Sequence, residues 1–380
     1  MGPLAGIRII EMAGIGPGPF CGMLLADMGA DVFRVDRLAP SGLGVEIPVR
    51  YDLFNRNKRS LAVDLKSPEG VATVLRLVKE ADILIEGFRP GVMEKLGLGP
   101  DVCLAANPRL VFGRMTGWGQ DGPLAKAAGH DINYIALTGA LAAIGPAGGA
   151  PVPPLNLLGD FGGGSMYLAM GVLAAHIEAL RSGKGQVVDA AIVDGTAGLM
   201  TMFHAFRQMG AFATQRGTNL LDGGAPFYGV YETGDGKHVA IGALEPKFYE
   251  EMIGKLGLAG EDLPQQYDPK GWPRLKARFE EVFRTKTRDE WCAILEGSDA
   301  CFAPVLDLDE ARAHPHMAAR GIHPTVDGVV NTAPAPRFSR TPSEIAHPAT
   351  KPGADTAEIL ASFGFGADEI ARLKAAGVTA

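Results

Sequence analysis

The feature that most constrains the fold is an alternation of short β-branched runs with helix-like segments between residues 6 and 113. Residues 6–12 and 31–36 are typical of strands, and a turn and an apolar helical pattern ended by Gly29 lie between them. Such βαβ units indicate a parallel sheet with right-handed crossovers. Further strands predicted at 60–65, 82–86 and 110–113 extend this block into an open α/β sheet.

Later segments indicate more helices and a second kind of sheet. An apolar pattern over 165–175 predicts a buried helix, and residues 186–193 predict a strand followed by a helix capped at Asp194. Strands predicted at 228–233 and 238–242 flank an Asp-Gly turn, which is a strong hairpin signal. We therefore predict a large Rossmann-like parallel-sheet α/β domain over 1–224, a smaller α+β domain over 225–325, and a C-terminal return to the large domain over 326–380.

The turn after the first predicted strand partly matches a dinucleotide-binding fingerprint. Gly14 and Gly16 fit the pattern G-x-G-x-x-G, but Pro19 takes the place of the third glycine. Pro17 and Pro19 also lack the backbone N–H groups that would bind a pyrophosphate. The pattern argues against a dinucleotide site and leaves either a connecting turn or a turn that lines another ligand.

Basic residues are concentrated in the loops that follow the second predicted strand. Six of them (Arg34, Arg37, Arg50, Arg56, Lys58 and Arg59) lie between residues 34 and 59 against three acids, in a chain of net charge −7. Arg89 occupies a later loop. Guanidinium and ammonium groups suit phosphate, although a charge run is also typical of an ordinary solvated surface.

The composition excludes some classes of function. A chain that is 47% hydrophobic and 21% charged, with a negative net charge, indicates a globular protein rather than a general nucleic-acid binder. The cysteines at 21, 103, 292 and 301 lack metal-like spacing, so we predict reduced thiols, no metal site and a cytoplasmic location. We expect no membrane span, because no apolar run approaches about 18 residues. We also expect no signal peptide and no peroxisomal address.

Two polar residues stand directly before apolar helix patterns, His130 and Asp160. An imidazole titrates near neutral pH and can act as a base without tuning, whereas an aspartate is an acid there only if its surroundings raise its pKa. Two such groups on opposite sides of a carbon can invert it by a 1,1-proton transfer. The reaction needs a carbonyl such as a thioester, and backbone N–H groups after His130 could stabilise the enolate oxygen.

Each of these residues also has a simpler interpretation. A histidine or an aspartate before a helix is commonly a cap, and a glycine triplet such as residues 162–164 commonly marks a turn or close helix packing. The methionines at 166, 170, 200 and 202 could line a site or fill the core of a helix pair. The residues alone leave these alternatives open.

Several separate motifs together resemble the α-methylacyl-CoA racemases, which belong to the family III CoA-transferase superfamily. The motifs are residues 7–37 with their Gly-Pro turn, Lys58-Arg59-Ser60-Leu61, Phe88-Arg89-Pro90-Gly91, Gly129-His130-Asp131-Ile132-Asn133-Tyr134, and Gly159-Asp160-Phe161-Gly162-Gly163-Gly164. They occur in the family's order over nearly the whole chain, and the similarity is weakest past residue 340.

The resemblance implies a function, a set of residues and an assembly. It implies interconversion of (2R)- and (2S)-2-methylacyl-CoA thioesters in fatty acid metabolism, with His130 and Asp160 as the two acid/bases and Glu245 as a further active-site acid. Coenzyme A would be part of the substrate, and no separate cofactor is implied. The positions implied to contact it are Arg37, Val63, Asp64, Leu65, Lys66, Arg89, Gly129, Asp131, Ile132, Asn133 and Tyr134. The family also implies an interlocked homodimer and methionine-rich walls over which the acyl chain moves.

The nearest alternative is a family III CoA-transferase. In those enzymes the aspartate at the position of Asp160 is a nucleophile that forms a mixed anhydride and then an aspartyl-CoA thioester. His130 favours the racemase, because a racemase needs a second base and transferases generally lack the Gly-His-Asp-Ile-Asn pattern. A non-catalytic CoA-binding protein is the third possibility, and it would bind CoA esters without exchanging a proton.

Overall fold

The structure is a computed structural model that describes residues 2–39, 42 and 44–380. The chain forms two compact units: unit 1 comprises Met1–Thr138, Leu155–Leu199 and Gly321–Ala380, and unit 2 comprises Gly139–Pro154 and Met200–Arg320. These ranges differ from the domain limits predicted from the sequence. Residues 139–154 and 200–224 pack within unit 2 rather than the larger unit, because the chain leaves the parallel sheet twice.

The elements up to residue 199 hold the parallel sheet and its helices, apart from the short helix Ala140–Ala143, which belongs to unit 2. In chain order they are β1 (Arg8–Met12), α1 (Pro17–Asp27), β2 (Asp31–Asp36), two short 3-10 turns (Val49–Tyr51 and Leu53–Asn55), β3 (Lys58–Ala62), α2 (Pro68–Val78), β4 (Ile83–Glu86), α3 (Val92–Lys95), α4 (Pro100–Ala106), β5 (Val111–Thr116), α5 (Asp131–Leu137), α6 (Ala140–Ala143), a π-helix (Leu157–Ser165), α7 (Met166–Ser182), β6 (Gln186–Ala191) and α8 (Ile192–Leu199).

The elements after residue 199 belong mostly to unit 2, and the last four belong to unit 1. They are α9 (Thr201–Gln208), β7 (Tyr228–Glu232), β8 (His238–Gly242), α10 (Pro246–Lys255), α11 (Trp272–Phe283), α12 (Arg288–Leu295), β9 (Phe302–Val305), α13 (Leu308–Ala313), α14 (Pro315–Ala319), β10 (Thr325–Val326), β11 (Val329–Val330), α15 (Thr356–Ser362) and α16 (Ala367–Ala375).

Within the described residues, unit 1 is built on a parallel sheet with the strand order β3-β2-β1-β4-β5-β6. The predicted α/β class is confirmed. The central strands are buried, with Ile9, Ile10 and Leu84 all 0% exposed, as expected where helices cover both faces of a sheet. The order reverses between β1 and β4, and ligands of such sheets bind at the carboxyl ends of the strands beside that point.

Local sequence signals explain where the helices of unit 1 begin. Ser67 caps α2 by accepting the N–H of Glu69 at 3.2 Å, and Pro68 follows in the first turn, where its missing N–H has no helical partner to lose. Two boundaries differ from prediction. Strand β3 starts at Lys58 and ends at Ala62, so residues 63–66 form a loop, and α8 starts at Ile192 rather than at a cap formed by Asp194.

The π-helix and α7 form one continuous helical segment, Leu157–Ser182, of 26 residues. By length and composition alone it could cross a membrane, which the sequence patterns did not indicate. Leu168 and Val172 of α7 are 0% exposed and pack on the sheet. A side chain at Gly113 of β5 would come within 2.8 Å of Val172, so this glycine permits the close approach of helix and sheet.

Unit 2 contains the antiparallel sheet β7-β8-β9 and its own core. The predicted hairpin is confirmed, because Tyr228 pairs with Gly242 and Glu232 pairs with His238. Strand β9 was not predicted from the sequence. Helix α11 packs its buried Phe279 and Phe283 in the same core as Trp291.

Candidate active site

Four loops of unit 1 that carry candidate binding residues follow successive parallel strands. Arg37 follows β2, residues 63–66 follow β3, Arg89 follows β4, and residues 129–134 follow β5 after a longer loop. Because parallel strands end at the same edge of the sheet, these loops share the carboxyl edge, where the strand order reverses between β1 and β4. The edge is therefore the candidate site.

His130 is the residue immediately before α5 and is exposed. Its backbone N–H donates to the Asn133 side-chain oxygen at 3.0 Å, and its carbonyl accepts the Asn133 N–H at 2.8 Å. The predicted capping position is confirmed, and it leaves the imidazole in contact with solvent. A histidine fixed through its backbone in this way can present its ring to a ligand.

Asp160 lies inside the π-helix rather than at the start of a helix. Helices of this type are rare and are frequently found at functional sites. The triple glycine allows the π-helix to pack against α8, because a side chain at Gly163 would come within 2.4 Å of the Thr196 hydroxyl. A capping role for Asp160 is thus excluded by its position, and close helix packing accounts for the glycines.

Among the partners that the structure describes, the Asp160 carboxyl group has polar neighbours but no lysine or arginine. Asn156 donates its side-chain N–H to Asp160 Oδ2 at 3.2 Å. The backbone N–H of Asp160 donates to Asp131 Oδ1 at 2.6 Å. Burial raises the pKa of Asp160; the Asn156 hydrogen bond lowers this pKa, the Asp131 charge raises it and His130 lowers it. The result is the direction that a carboxylic acid needs to donate a proton near neutral pH.

The glycine-proline turn after β1 lies against Asp160. Gly16 has a φ of 69° that favours glycine, and a side chain there would approach Asp160 Oδ2 to 3.6 Å. The buried Ser165 hydroxyl donates to the carbonyl of Pro17 at 2.8 Å and is 3.0 Å from the carbonyl oxygen of Asp160. The turn is therefore a neighbour of Asp160, and a role for it in lining a ligand stays a prediction.

The loop bearing Arg89 is held by a buried ion pair. Glu86 at the end of β4 accepts the Phe88 N–H at 2.7 Å, and Arg114 of β5 donates to the same carboxylate at 2.8 Å. Arg89 itself is exposed. Burial and the charge of Asp160 raise the pKa of Tyr134, and the charge of Arg89 lowers it. The loop therefore places a solvent-facing guanidinium near α5.

The remaining predicted contact residues divide by exposure. Arg37, Lys66, Ile132 and Asn133 are exposed, Asp64, Leu65 and Gly129 are half-buried, and Val63, Asp131 and Tyr134 are buried. The buried Tyr134 hydroxyl donates to the carbonyl of Gly129. The side chains of Val63, Asp131 and Tyr134 are therefore inaccessible to a ligand, which could contact these residues only through their main chain.

Most basic residues of the cationic loops form ion pairs with acids, so fewer of them are available to bind a phosphate group. Arg34 pairs with Asp36 at 2.6 Å, Arg56 with Asp27 at 2.6 Å, and Lys58 with Glu11 at 2.7 Å. Arg59 also pairs, with Asp31 at 3.3 Å. These side chains stabilise the fold, so a phosphate group at this edge would be bound by Arg37, Lys66 and Arg89, the exposed cations among the predicted CoA contacts. Arg50 is exposed as well, and its guanidinium donates to the carbonyl of Gly328 at 3.5 Å.

Glu245 and part of the methionine set belong to unit 2. Glu245 is exposed and directly precedes α10. Met166 and Met170 of unit 1 are 53% and 60% exposed, so they do not fill a helix core. Met202 of unit 2 is 44% exposed. Exposed methionines are compatible with a binding surface.

Sequence reasoning missed Asn156, Gly16 and Ser165 as neighbours of Asp160. The spacing of Asn156 four residues before Asp160 was the one available signal, because side chains at that spacing meet on a helix. The contacts of Gly16 and Ser165 join distant parts of the chain and have no local pattern.

CoA-transferase family III matches residues 4–356. The chain belongs to this family. It is 48% identical over 376 residues to the α-methylacyl-CoA racemase of Mus musculus, covering 97% of this chain and 96% of the relative. It is 47% identical over 377 residues to the α-methylacyl-CoA racemase of Homo sapiens, with coverage of 97% and 96%. The resemblance seen in the sequence motifs is confirmed.

Transferases and a solved structure of the family show lower similarity. The chain is 31% identical over 402 residues to the succinyl-CoA–D-citramalate CoA-transferase of Chloroflexus aurantiacus, covering 98% of this chain and 97% of that one. The crystal structure of a CAIB/BAIF family protein from Brucella suis superposes with a TM-score of 0.81 at 27% identity, covering 95% of this chain and 99% of that one. The predicted fold of the family is thus confirmed.

Proposed function

We propose that the protein is an α-methylacyl-CoA racemase, an isomerase that interconverts (2R)- and (2S)-2-methylacyl-CoA thioesters. The observation that carries this proposal is the near full-length similarity, at 48% and 47% identity, to the racemases of Mus musculus and Homo sapiens. The arrangement of His130 and Asp160 at the carboxyl edge of unit 1 supplies the two proton-transfer groups that the reaction needs.

In the proposed mechanism one residue removes the α-proton while the other returns a proton to the opposite face. For one epimer, the Asp160 carboxylate accepts the proton and the protonated His130 donates one; for the other epimer, the roles are reversed. The intermediate is an enolate of the thioester, and no net oxidation or group transfer occurs. Resemblance to the family leads us to assign His130 to the S face.

The enolate oxygen needs hydrogen-bond donors that are already in place. The first N–H groups of α5 have no acceptor one turn earlier in the helix, as at any helix start. We propose that these amides, which follow His130 directly, stabilise the enolate, an effect often worth ~3–4 kcal/mol per donor. The exposed Arg37, Lys66 and Arg89 would bind the phosphate groups of the CoA portion. The transfer needs no cofactor besides the CoA of the substrate.

We extend the proposal to a cytoplasmic homodimer with Glu245 as a further acid of the site. Support for a homodimer comes from large apolar side chains of unit 1 that are 44–75% exposed, namely Ile132, Leu137, Leu155, Leu157, Met166, Met170 and Ile177. Surfaces of this kind commonly mark protein interfaces. Sedimentation at micromolar concentration should give twice the chain mass.

Glu245→Gln should lower the turnover rate.

Incubation of a single epimer of a 2-methylacyl-CoA in deuterated water, without a carboxylate acceptor, tests the function. A racemase incorporates deuterium at the α-carbon and loses optical purity. Absence of both over several acyl chain lengths, together with CoA transfer to an added carboxylate, would identify a CoA-transferase instead. Binding of CoA esters with neither reaction would identify a non-catalytic protein.

A His130→Gln variant separates the first two outcomes further. Racemisation requires both groups, so this variant should lose it, whereas transfer through an Asp160 thioester does not require a second base. Because His130 is exposed, the substitution should leave the melting temperature close to that of the wild type. Retained racemisation in this variant would remove His130 from its proposed role.

A further inference from the structure

The Asp131 carboxylate is buried against the backbone of Asp160. Asp131 is the first residue of α5 and is 6% exposed, and its Oδ1 accepts the Asp160 N–H at 2.6 Å. This hydrogen bond joins α5 to the π-helix across 29 positions of sequence. Because so little of the side chain is exposed, Asp131 could contact CoA only through its main chain.

At the neighbouring Gly159, the Asp131 carboxylate occupies the space that a side chain would need. A side-chain carbon at position 159 would lie 2.3 Å from Asp131 Oδ1 and 2.9 Å from Ile135 Cγ2. The backbone of Gly159 does not have the positive φ that favours glycine, so space rather than conformation requires a glycine there. The close approach of the two segments therefore depends on both residues.

The second oxygen of Asp131 has an unusual environment. Within the part of the chain that the structure describes, Asp131 Oδ2 is buried and has no hydrogen-bond partner. Its negative charge is therefore less compensated than those of Glu11 and Glu86, which pair with Lys58 and Arg114. The charge acts on Asp160, whose pKa it raises in addition to the larger effect of burial.

We propose that Asp131 is a positioning residue for Asp160. Its hydrogen bond fixes the backbone of the π-helix at Asp160, and its charge favours the protonated form of that residue, from which a proton is donated to the enolate. The proposal rests on the racemase function for the second effect only. The first effect is a property of the fold and is tested without substrate.

Three substitutions separate the two effects. Asp131→Asn keeps an oxygen acceptor and removes the charge, Asp131→Ala removes both, and Gly159→Ala displaces the carboxylate but keeps its charge. Asp121→Asn, at an exposed position of unit 1, is the matched control. Amide hydrogen exchange at Asp160, measured by NMR, reports the hydrogen bond. The pH dependence of α-deuterium incorporation, measured for each epimer, reports the protonation of Asp160.

In Asp131→Ala and Gly159→Ala, we expect the Asp160 amide to exchange roughly tenfold faster or more, the equivalent of losing a hydrogen bond to a charged group. In Asp131→Asn, the protection should stay within a few-fold of the wild type. In both Asp131 variants, the limb of the pH profile that reports Asp160 should move to lower pH, because a charge that raised the pKa of Asp160 is gone. Gly159→Ala should shift this limb less, and Asp121→Asn should shift neither readout.

Unchanged protection of the Asp160 amide in Asp131→Ala would overturn the positioning role. An unshifted pH limb in Asp131→Asn would overturn the charge effect and leave Asp131 with a purely structural one. If the wild type incorporates no deuterium, the racemase proposal fails, but the amide exchange still decides whether Asp131 holds Asp160. If Asp131→Ala does not fold, as judged by circular dichroism, Asp131→Asn and Gly159→Ala carry the same test.

Discussion

Unit 1 contains two kinds of carboxyl group with a raised pKa at the carboxyl edge of its sheet, one buried and the other half-buried. Glu11 and Glu86 are 0% and 1% exposed, and each pairs with a cation, Lys58 at 2.7 Å and Arg114 at 2.8 Å. Asp160 instead has an amide, that of Asn156, as its hydrogen-bonding partner at 3.2 Å, and a second carboxylate, Asp131, beside its backbone. The partners differ although burial raises the pKa in all three groups.

The difference separates a structural role from a chemical one. A cation beside a buried carboxylate offsets the cost of burial and keeps the charged form, so the group holds its loop and does not exchange a proton. A carboxyl group without such a cation changes its protonation state easily. Perturbed groups of the second kind are concentrated at functional sites. The comparison thus supports a structural role for Glu11 and Glu86 and is consistent with the proposal that Asp160 takes part in the reaction.

The largest effect should come from removing either proton-transfer group. His130→Ala and Asp160→Ala should each lower racemisation by about 10²–10⁴-fold, the usual contribution of a general acid or base. Each variant should still exchange the α-proton of one epimer with retention, because the remaining base works on one face. Deuterium incorporation into the separate epimers, followed by mass spectrometry, measures this. Equal residual exchange of both epimers in either variant would contradict the two-base assignment.

Breaking the structural pair should affect stability and not the pH profile. Lys58→Met leaves the Glu11 carboxylate buried without its cation, so the free energy of unfolding should fall by about 3–5 kcal/mol. The Lys58 ammonium also donates to the Pro19 carbonyl at 2.9 Å, so the start of α1 loosens as well. Urea denaturation measures the loss. The pH dependence of exchange in the folded fraction should match that of the wild type.

A double substitution is the control for this experiment. Replacing Glu11 and Lys58 together by methionine removes both charges and keeps most of the side-chain volume. Such replacements of buried pairs are often neutral or stabilising. The double variant should therefore recover most of the stability lost in Lys58→Met. A double variant as unstable as the single one would show that the Pro19 contact, and not the ion pair, stabilises this region.

The sequence predicted the fold more completely than the site. The βαβ alternation and the Asp-Gly hairpin are local signals, and each was confirmed. The cation-rich loops were misleading, because charge counts do not show that Arg34 pairs with Asp36.

The surroundings of Asp160 depend on contacts between distant segments and could not be predicted. The π-helix, the Asp131 hydrogen bond and the Ser165 contact with Pro17 join α5, the turn after β1 and the start of α7. No periodicity in the sequence indicates such contacts. The proposed catalytic roles themselves came from the resemblance of the motifs, and they stay predictions until the variants are measured.

A smaller effect is expected from Asn156. Its side chain changes the pKa of Asp160 in the direction opposite to the change caused by Asp131. The Asn156 hydrogen bond lowers the pKa of Asp160, so Asn156→Ala should raise that pKa further. Where Asp160 acts as the base, activity is lost as pH falls through its pKa, and this limb should move to higher pH. Where it acts as the acid, activity is lost as pH rises through its pKa, and that limb should also move to higher pH.

The pH dependence of deuterium incorporation from each epimer measures this shift. Asn156→Asp is the contrasting variant, because a second nearby carboxylate should move both limbs to still higher pH. Asn156 is exposed, so neither substitution should change the melting temperature much. If the limbs move to lower pH in Asn156→Ala, the Asn156 hydrogen bond does not lower the pKa of Asp160.

The smallest effect should come from Asn133, which supports His130 in the way that Asp131 supports Asp160. Asn133 is exposed and accepts the His130 backbone N–H at 3.0 Å, whereas the Asp131 carboxylate is buried and charged. An exposed neutral hydrogen bond contributes about 0.5–1.5 kcal/mol, so Asn133→Ala should lower racemisation by roughly 2- to 10-fold. The loss should be equal for the two epimers, and the pH limb of Asp160 should not move. A loss as large as that of His130→Ala would contradict the view that Asn133 only holds the backbone of His130.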